Sequence, residues 1–138
     1  MPGIDESKAF LPVNIALLTV SDTRSTADDK SGDLLKKSIE AAGHKIVRRA
    51  ILPDETDQLI DFLKSCIEDS EIDVVISTGG TGVTGRDVTP EAFQAVYEKE
   101  IPGFGELFRM LSYEKIKTST IQSRATGGVA GGTYLFAL

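Results

Sequence analysis

Apolar residues fall into two kinds of pattern along this chain. Short runs rich in β-branched residues alternate with longer stretches in which apolar positions recur at helical spacing. Val13 to Val20 predicts a central strand, and Lys45 to Leu52 a second one carried by Ile46, Val47, Ile51 and Leu52. Val74 to Ile76 predicts a third strand, buried on both faces, and Thr133 to Leu138 a final one. Between the first two strands, Ser31 reads as the cap of a helix whose buried face comprises Leu34, Leu35, Ile39 and Ala42, with Gly43 as its stop. A second helix begins near Pro53-Asp54-Glu55-Thr56, where Asp54 or Thr56 is available as a cap, and buries Leu59, Ile60, Leu63 and Ile67.

A third helix starts with Thr89 as N-cap and Pro90 as its first residue, and is lined by Ala92, Phe93 and Val96. Ile101-Pro-Gly-Phe-Gly105 breaks it, and Phe104, Leu107, Phe108 and Leu111 mark a fourth. Lys115 to Arg124, rich in hydroxyls, reads as a loop with one short helical turn, and Gly127 to Gly132 as a tight strand connection. Strands alternating with helices predict one α/β domain over residues 1–138, with residues 1–11 a polar arm. Its sheet is mostly parallel and covered on both faces, with room for one antiparallel member between Gly128 and Leu138.

Composition narrows the functions open to such a domain. Its 138 residues suffice for one sizeable core, and 41% hydrophobic with 26% charged residues is ordinary for a soluble globular protein. A formal charge of -6 argues against broad nucleic-acid binding, which needs a basic surface. One cysteine, Cys66, and one histidine, His44, leave no set for zinc or an iron–sulfur cluster. Any metal is then a hard ion held by carboxylates and substrate phosphates, which makes magnesium the expected one. No basic-then-apolar leader and no membrane-spanning run are present, so the expected location is cytoplasmic, without a membrane partner.

Candidate chemistry gathers after the third strand, in Thr78-Gly79-Gly80-Thr81-Gly82. Glycines there allow positive φ and close approach of a ligand, and consecutive N–H groups beside a helix start suit an anion. The loop has neither a P-loop ending nor a dinucleotide fingerprint, so a simple strand-to-helix turn is the plainer alternative. In a parallel sheet the loops after strands one, two and three open on the same edge, where Asp22, Asp54 and Asp87 can converge. Asp87 suits a magnesium ligand or an orienting group; it also suits a surface carboxylate paired with Arg86 or satisfied by backbone N–H groups. Ser21 shares the edge of Asp22, and Ser123-Arg124 offers a hydroxyl and a planar cation to an anionic ligand, or else a solvated loop.

Taken together, Ala16-Leu-Leu-Thr-Val-Ser-Asp22, Pro53-Asp-Glu55, Thr78 to Gly82, Arg86-Asp-Val-Thr-Pro-Glu-Ala92 and Pro102-Gly-Phe-Gly-Glu106 resemble the molybdenum cofactor biosynthesis family that includes MoaB and MogA. Phe108-Arg-Met-Leu-Ser112 and Thr118 to Arg124 resemble its MoaB branch specifically. The resemblance implies a three-layer αβα sandwich assembled as homotrimers or homohexamers. It also implies adenylylation of molybdopterin: the terminal phosphate of molybdopterin attacks the α-phosphorus of Mg-ATP and releases pyrophosphate. Carried over by position, the acidic pair falls on Asp54 and Asp87, with Asp87 as the magnesium ligand. Nucleotide phosphate contacts fall on Gly79, Gly80, Thr81 and Gly82, and pterin or substrate contacts on Ser21, Asp22 and Ser123. In the family a Pro-Gly-Ser-type turn and a terminal helix follow the position of Leu138, a segment this sequence does not include. The alternatives are a non-catalytic molybdopterin-binding or storage protein and an oligomeric scaffold of the same fold.

Overall fold

The computed structural model describes residues 2–138. Its strands are β1 (Asn14–Val20), β2 (Lys45–Leu52), β3 (Val74–Thr78), β4 (Lys99–Glu100), β5 (Thr126–Ala130) and β6 (Thr133–Ala137). The helices are α1 (Lys30–Ala41), α2 (Thr56–Glu68), α3 (Thr89–Val96) and α4 (Pro102–Ile116), and a 3-10 segment spans Lys117–Gln122. One sheet contains all six strands in the order β2-β1-β3-β6-β5-β4. β2, β1, β3 and β6 pair in parallel, while β5 runs antiparallel to both β6 and β4. β5 is therefore the single reversed strand, as the sequence allowed.

Alternation along β1 sends its side chains to two cores. Ala16, Leu18 and Val20 pack with Val75, Leu135, Leu59, Leu63, Cys66 and Phe93, so α2 and α3 cover that face. Ile15 and Leu17 face the other way, onto Ile39 of α1 and the half-buried Val74 and Ile76. Phe104 of α4 meets Phe136 of β6 on this second face, their ring centroids 4.8 Å apart. The architecture is the expected αβα sandwich with a mostly parallel sheet. Each fully buried Leu or Phe stabilises it by about 1.5–3 kcal/mol relative to exposure.

Several local expectations are corrected. Asp29, not Ser31, caps α1: its Oδ1 accepts from Gly32 N at 3.0 Å, while Oδ2 accepts from Thr19 Oγ1 at 2.7 Å. Asp29 is fully buried and needs those partners, together with Arg49 at 3.0 Å. Leu34 and Ala42 are exposed, because α1 rests on the sheet chiefly through Ile39. α2 has Glu55 at its cap position with no side-chain capping bond, which leaves both Asp54 and Thr56 uncommitted to that role. Thr89 is already inside α3, whose cap position is Val88, and Pro90 follows it. Gly127 to Ala130, expected as a connection, belongs to strand β5, and Leu107 and Leu111 of α4 are exposed rather than core.

Candidate functional site

The glycine loop leaves the C-terminal end of β3 at the edge onto which β1 and β2 also open. Gly79 has φ 102 and Gly80 φ 71, and this backbone is close to closed to other residues. A methyl group at Gly79 would run into the Val20 carbonyl, and one at Gly80 would meet Thr89 Oγ1 and Asp54 Oδ1. Four successive carbonyls of the loop turn back into the protein. Gly79 O accepts from Thr89 Oγ1 at 3.0 Å and Gly80 O from Thr89 N at 3.2 Å. Thr81 O accepts from Arg124 N at 2.8 Å and Gly82 O from Arg124 Nε at 2.7 Å.

On the donor side, Gly79 N binds Leu138 O at 3.0 Å. The N–H groups of Gly80, Thr81 and Gly82 bond to no acceptor among the described residues. With their acceptors withdrawn and three donors unspent, these residues present the polarity that an anion requires.

Asp54 and Asp87 stand on either side of this loop. A methyl on Gly80 would lie 2.9 Å from Asp54 Oδ1, and one on Gly82 would lie 2.8 Å from Asp87 Oδ2. Asp54 donates its N–H to Asp22 Oδ1 at 3.0 Å, and Arg86 of the third loop also binds Asp22, so the three loops are physically joined. Burial pushes the Asp54 carboxyl above the ordinary carboxylate range, and the charges of Asp22 and Asp87 push it further. Asp87 Oδ2 accepts from both Thr84 N and Thr84 Oγ1 at 2.8 Å. It does not pair with Arg86. That cation grips Asp22 through Nε and Nη2 at 3.0 and 2.9 Å and also reaches Glu55 at 3.0 Å. The Arg86 hydrogen bonds hold Asp22 below the usual carboxylate range.

The remaining expected contacts are arranged more locally. Ser21 Oγ accepts from Thr23 N and Arg24 N at 3.2 and 3.1 Å, shaping the turn after β1. Ser123 offers its carbonyl to Arg109 Nη1 at 3.2 Å, and its hydroxyl accepts from Ala125 N at 3.4 Å. Arg124 is not in a solvated loop. Besides Gly82 O it binds Asp87 O at 2.7 Å and the Glu91 carboxylate. Thr84, Glu55 and Glu91 are members of the site that sequence reasoning misses. Thr84 carries a signal, since in the capping-box spacing Ser/Thr-x-x-Asp/Glu the acidic side chain reaches back to the N–H three residues earlier; Glu55 and Glu91 carry none, because their partners are distant in sequence.

An open cleft of about 490 Å³ lies beside the connector, lined by Thr56, Val83, Thr84, Asp87, Glu91 and Arg124 among others. Among the described residues no three His, Cys, Asp or Glu side chains form a cluster able to hold a metal alone. Magnesium is commonly held by one or two carboxylates with the rest of its shell from phosphate and water. Asp54 and Asp87, hard oxygen donors that border the glycine loop, fit that mode.

The family model described as "Probable molybdopterin binding domain" matches residues 16–138. The chain belongs to this family. Molybdenum cofactor biosynthesis protein B of Escherichia coli (strain K12) is 46% identical over 132 residues, covering 96% of this chain and 78% of that protein. A protein of Methanocaldococcus jannaschii named "Probable molybdopterin adenylyltransferase" is 38% identical over 138 residues, covering 95% and 82%. A crystal structure of a molybdenum cofactor biosynthesis protein B superposes with a TM-score of 0.90 at 42% identity, covering 95% of this chain and 82% of its own. Among the described residues no helix is long and apolar enough to cross a membrane.

Proposed function

We propose that this protein acts in molybdenum cofactor biosynthesis as a molybdopterin adenylyltransferase. An oxygen of the terminal phosphate of molybdopterin attacks the α-phosphorus of ATP, the bond to the β-phosphate breaks, and pyrophosphate leaves. The observation that carries this reading is the glycine loop, whose four carbonyls are bound inward while the N–H groups of Gly80, Thr81 and Gly82 stay available to phosphate oxygens. These donors offset phosphate charge without rearranging, the largest contribution a protein makes to phosphoryl chemistry. The adenylyltransferase name of the archaeal relative supports the same reaction.

In this reading Asp87 and Asp54 hold magnesium, which when bound neutralises phosphate charge. Thr84 holds the Asp87 carboxylate in its orientation. Asp54, crowded by Asp22 and Asp87, orients the attacking phosphate and is relieved of like-charge repulsion when cationic charge arrives. Asp22, Ser21 and Ser123 border the pterin side, and Arg86 holds Asp22 ionised and in place. The protein works in the cytoplasm on small-molecule partners, without nucleic acid or membrane.

Self-association as a homotrimer or homohexamer belongs to the same reading. α4 buries only Gly105 fully, leaving Met110 63% exposed with Leu107, Leu111 and Ile116 also open. Met110→Glu is expected to lower the mass seen by light scattering.

The deciding assay supplies molybdopterin, ATP and magnesium and follows pyrophosphate and adenylylated pterin. Turnover is expected in the unsubstituted protein, with a loss of about 100-fold or more in Asp54→Asn and Asp87→Asn. Tight pterin binding without turnover would instead support the storage protein. Turnover unchanged by removal of magnesium would sink the metal-assisted reading.

A further inference from the structure

Arg124 precedes β5, yet every polar group of its side chain reaches toward the connector between β3 and α3. Its Nε donates to Gly82 O and its Nη2 to Asp87 O, each at 2.7 Å, and its Nη1 binds the Glu91 carboxylate. Its backbone N–H holds Thr81 O at 2.8 Å. Gly82 and Asp87 are the two ends of the loop Val83-Thr84-Gly85-Arg86. One planar guanidinium therefore bridges both ends, and its rigid fork sets their separation. Within the loop so closed, Asp87 N donates to Thr84 O at 3.0 Å and the Asp87 carboxylate receives both Thr84 donors.

We infer that Arg124 is a positioning residue, which acts by fixing the Asp87 carboxylate relative to the glycine-loop N–H groups. Nε, Nη1 and Nη2 each serve a protein acceptor, so three of the five guanidinium N–H donors are committed to the connector and Glu91, and the protein sets the plane of the fork. Lysine cannot replace it, because a single ammonium does not span two carbonyls and a carboxylate in a fixed plane. Glu91 completes the clamp from α3, and the hydrogen bond from Arg124 holds its carboxyl below the usual range. The kinetic part of this inference rests on the transferase reading; the structural part does not.

The experiment therefore has two readouts on Arg124→Lys and Glu91→Gln. Amide exchange in the ligand-free protein is expected to accelerate about tenfold at Thr84 and Asp87 in Arg124→Lys, and a few-fold in Glu91→Gln, with Ile15–Val20 unchanged. Turnover is expected to lose about 10- to 100-fold in kcat in Arg124→Lys, with the KM for ATP within about threefold. Exchange unchanged in both variants, or faster across the whole sheet, overturns the inference, the latter result marking an ordinary stabilising arginine. Selective loop exchange with unaltered kcat also overturns it. Absence of turnover in the unsubstituted protein sinks the transferase reading alone, and the exchange pattern then decides the role of Arg124. Should Arg124→Lys fail to fold, Glu91→Gln carries the same comparison.

Discussion

Two glycine-rich stretches, Thr78 to Gly82 and Gly127 to Gly132, look alike in sequence and do opposite work. In the first, the space a side chain would fill is bordered by polar atoms: the Val20 carbonyl, Thr89 Oγ1, Asp54 Oδ1 and Asp87 Oδ2. At Gly127 and Gly128 of the second, it is bordered by rings. A methyl on Gly127 would lie 2.9 Å from Phe136 and 3.0 Å from Phe104, and one on Gly128 would enter the ring of Tyr97. Tyr97 is itself largely buried, and that burial pushes its phenol up to about 12. Glycine density alone thus says only that something comes close to the backbone. The chemistry of the neighbour separates a loop bordered by polar atoms from a strand that seats aromatic residues.

The sharpest way to break this contrast is Asp54→Asn, which removes a charge facing the first stretch. Activity should fall by about 100-fold or more, while thermal stability at neutral pH should rise. The sign follows from the raised pKa: a carboxyl that holds its proton more tightly when folded adds stability at low pH, lost as pH rises through the folded value. Asparagine escapes that loss, so the two melting curves should differ at pH 7 and converge in acid. Equal melting temperatures at pH 7 would show that Asp54 is not crowded.

Next in size is a pair of substitutions, Gly128→Ala and Gly82→Ala. Gly128→Ala should destabilise by about 3 kcal/mol by overpacking Tyr97, with turnover per folded molecule intact. Gly82→Ala meets only the end of the Asp87 side chain at 2.8 Å. It should cost about 1 kcal/mol or less in stability, yet lower kcat about tenfold by displacing that carboxylate. Denaturant titration beside steady-state kinetics separates the two; matched effects would erase the distinction between the stretches. The smallest effect is expected from Asp22→Asn. Removing this like charge lowers the Asp54 pKa, so the acid limb of the rate profile should move to lower pH.

Much of this architecture is legible in the amino-acid sequence. Periodicity locates β1, β2, β3, β6 and the four helices, and the apolar positions of the strands and of α1, α2 and α3 face the two sides of one sheet. The glycine loop and its flanking carboxylates are legible from their place at strand ends, and the fold brings Asp22, Asp54 and Asp87 together there. β4 is two residues long and β5 is glycine-rich, so neither has the side-chain pattern that marks a strand. Ser31 and Asp29 are equally good caps in isolation; the buried hydroxyl of Thr19 decides for Asp29, and that contact crosses from strand to helix. Arg124 reads from sequence as a ligand for an anion or as part of a solvated loop, because nothing local reveals that its acceptors lie on Gly82, Asp87 and Glu91. The exposed Leu107 and Leu111 follow a helical apolar period just as core residues do.

The pairing of β3 with β6 has a consequence for synthesis. Chains grow from the N-terminus and domains fold as they emerge. β1, β2 and β3 are made early, but the strand that covers the free side of β3 is the last of the six strands to be made. Until Thr133–Ala137 emerges, Val74–Thr78 is an unpaired β-branched edge, a template for pairing with other chains. The residues that finish the glycine loop, Arg124 and Leu138, arrive in the same late stretch. A nascent chain stalled before that point would therefore be both without its clamp and prone to aggregate.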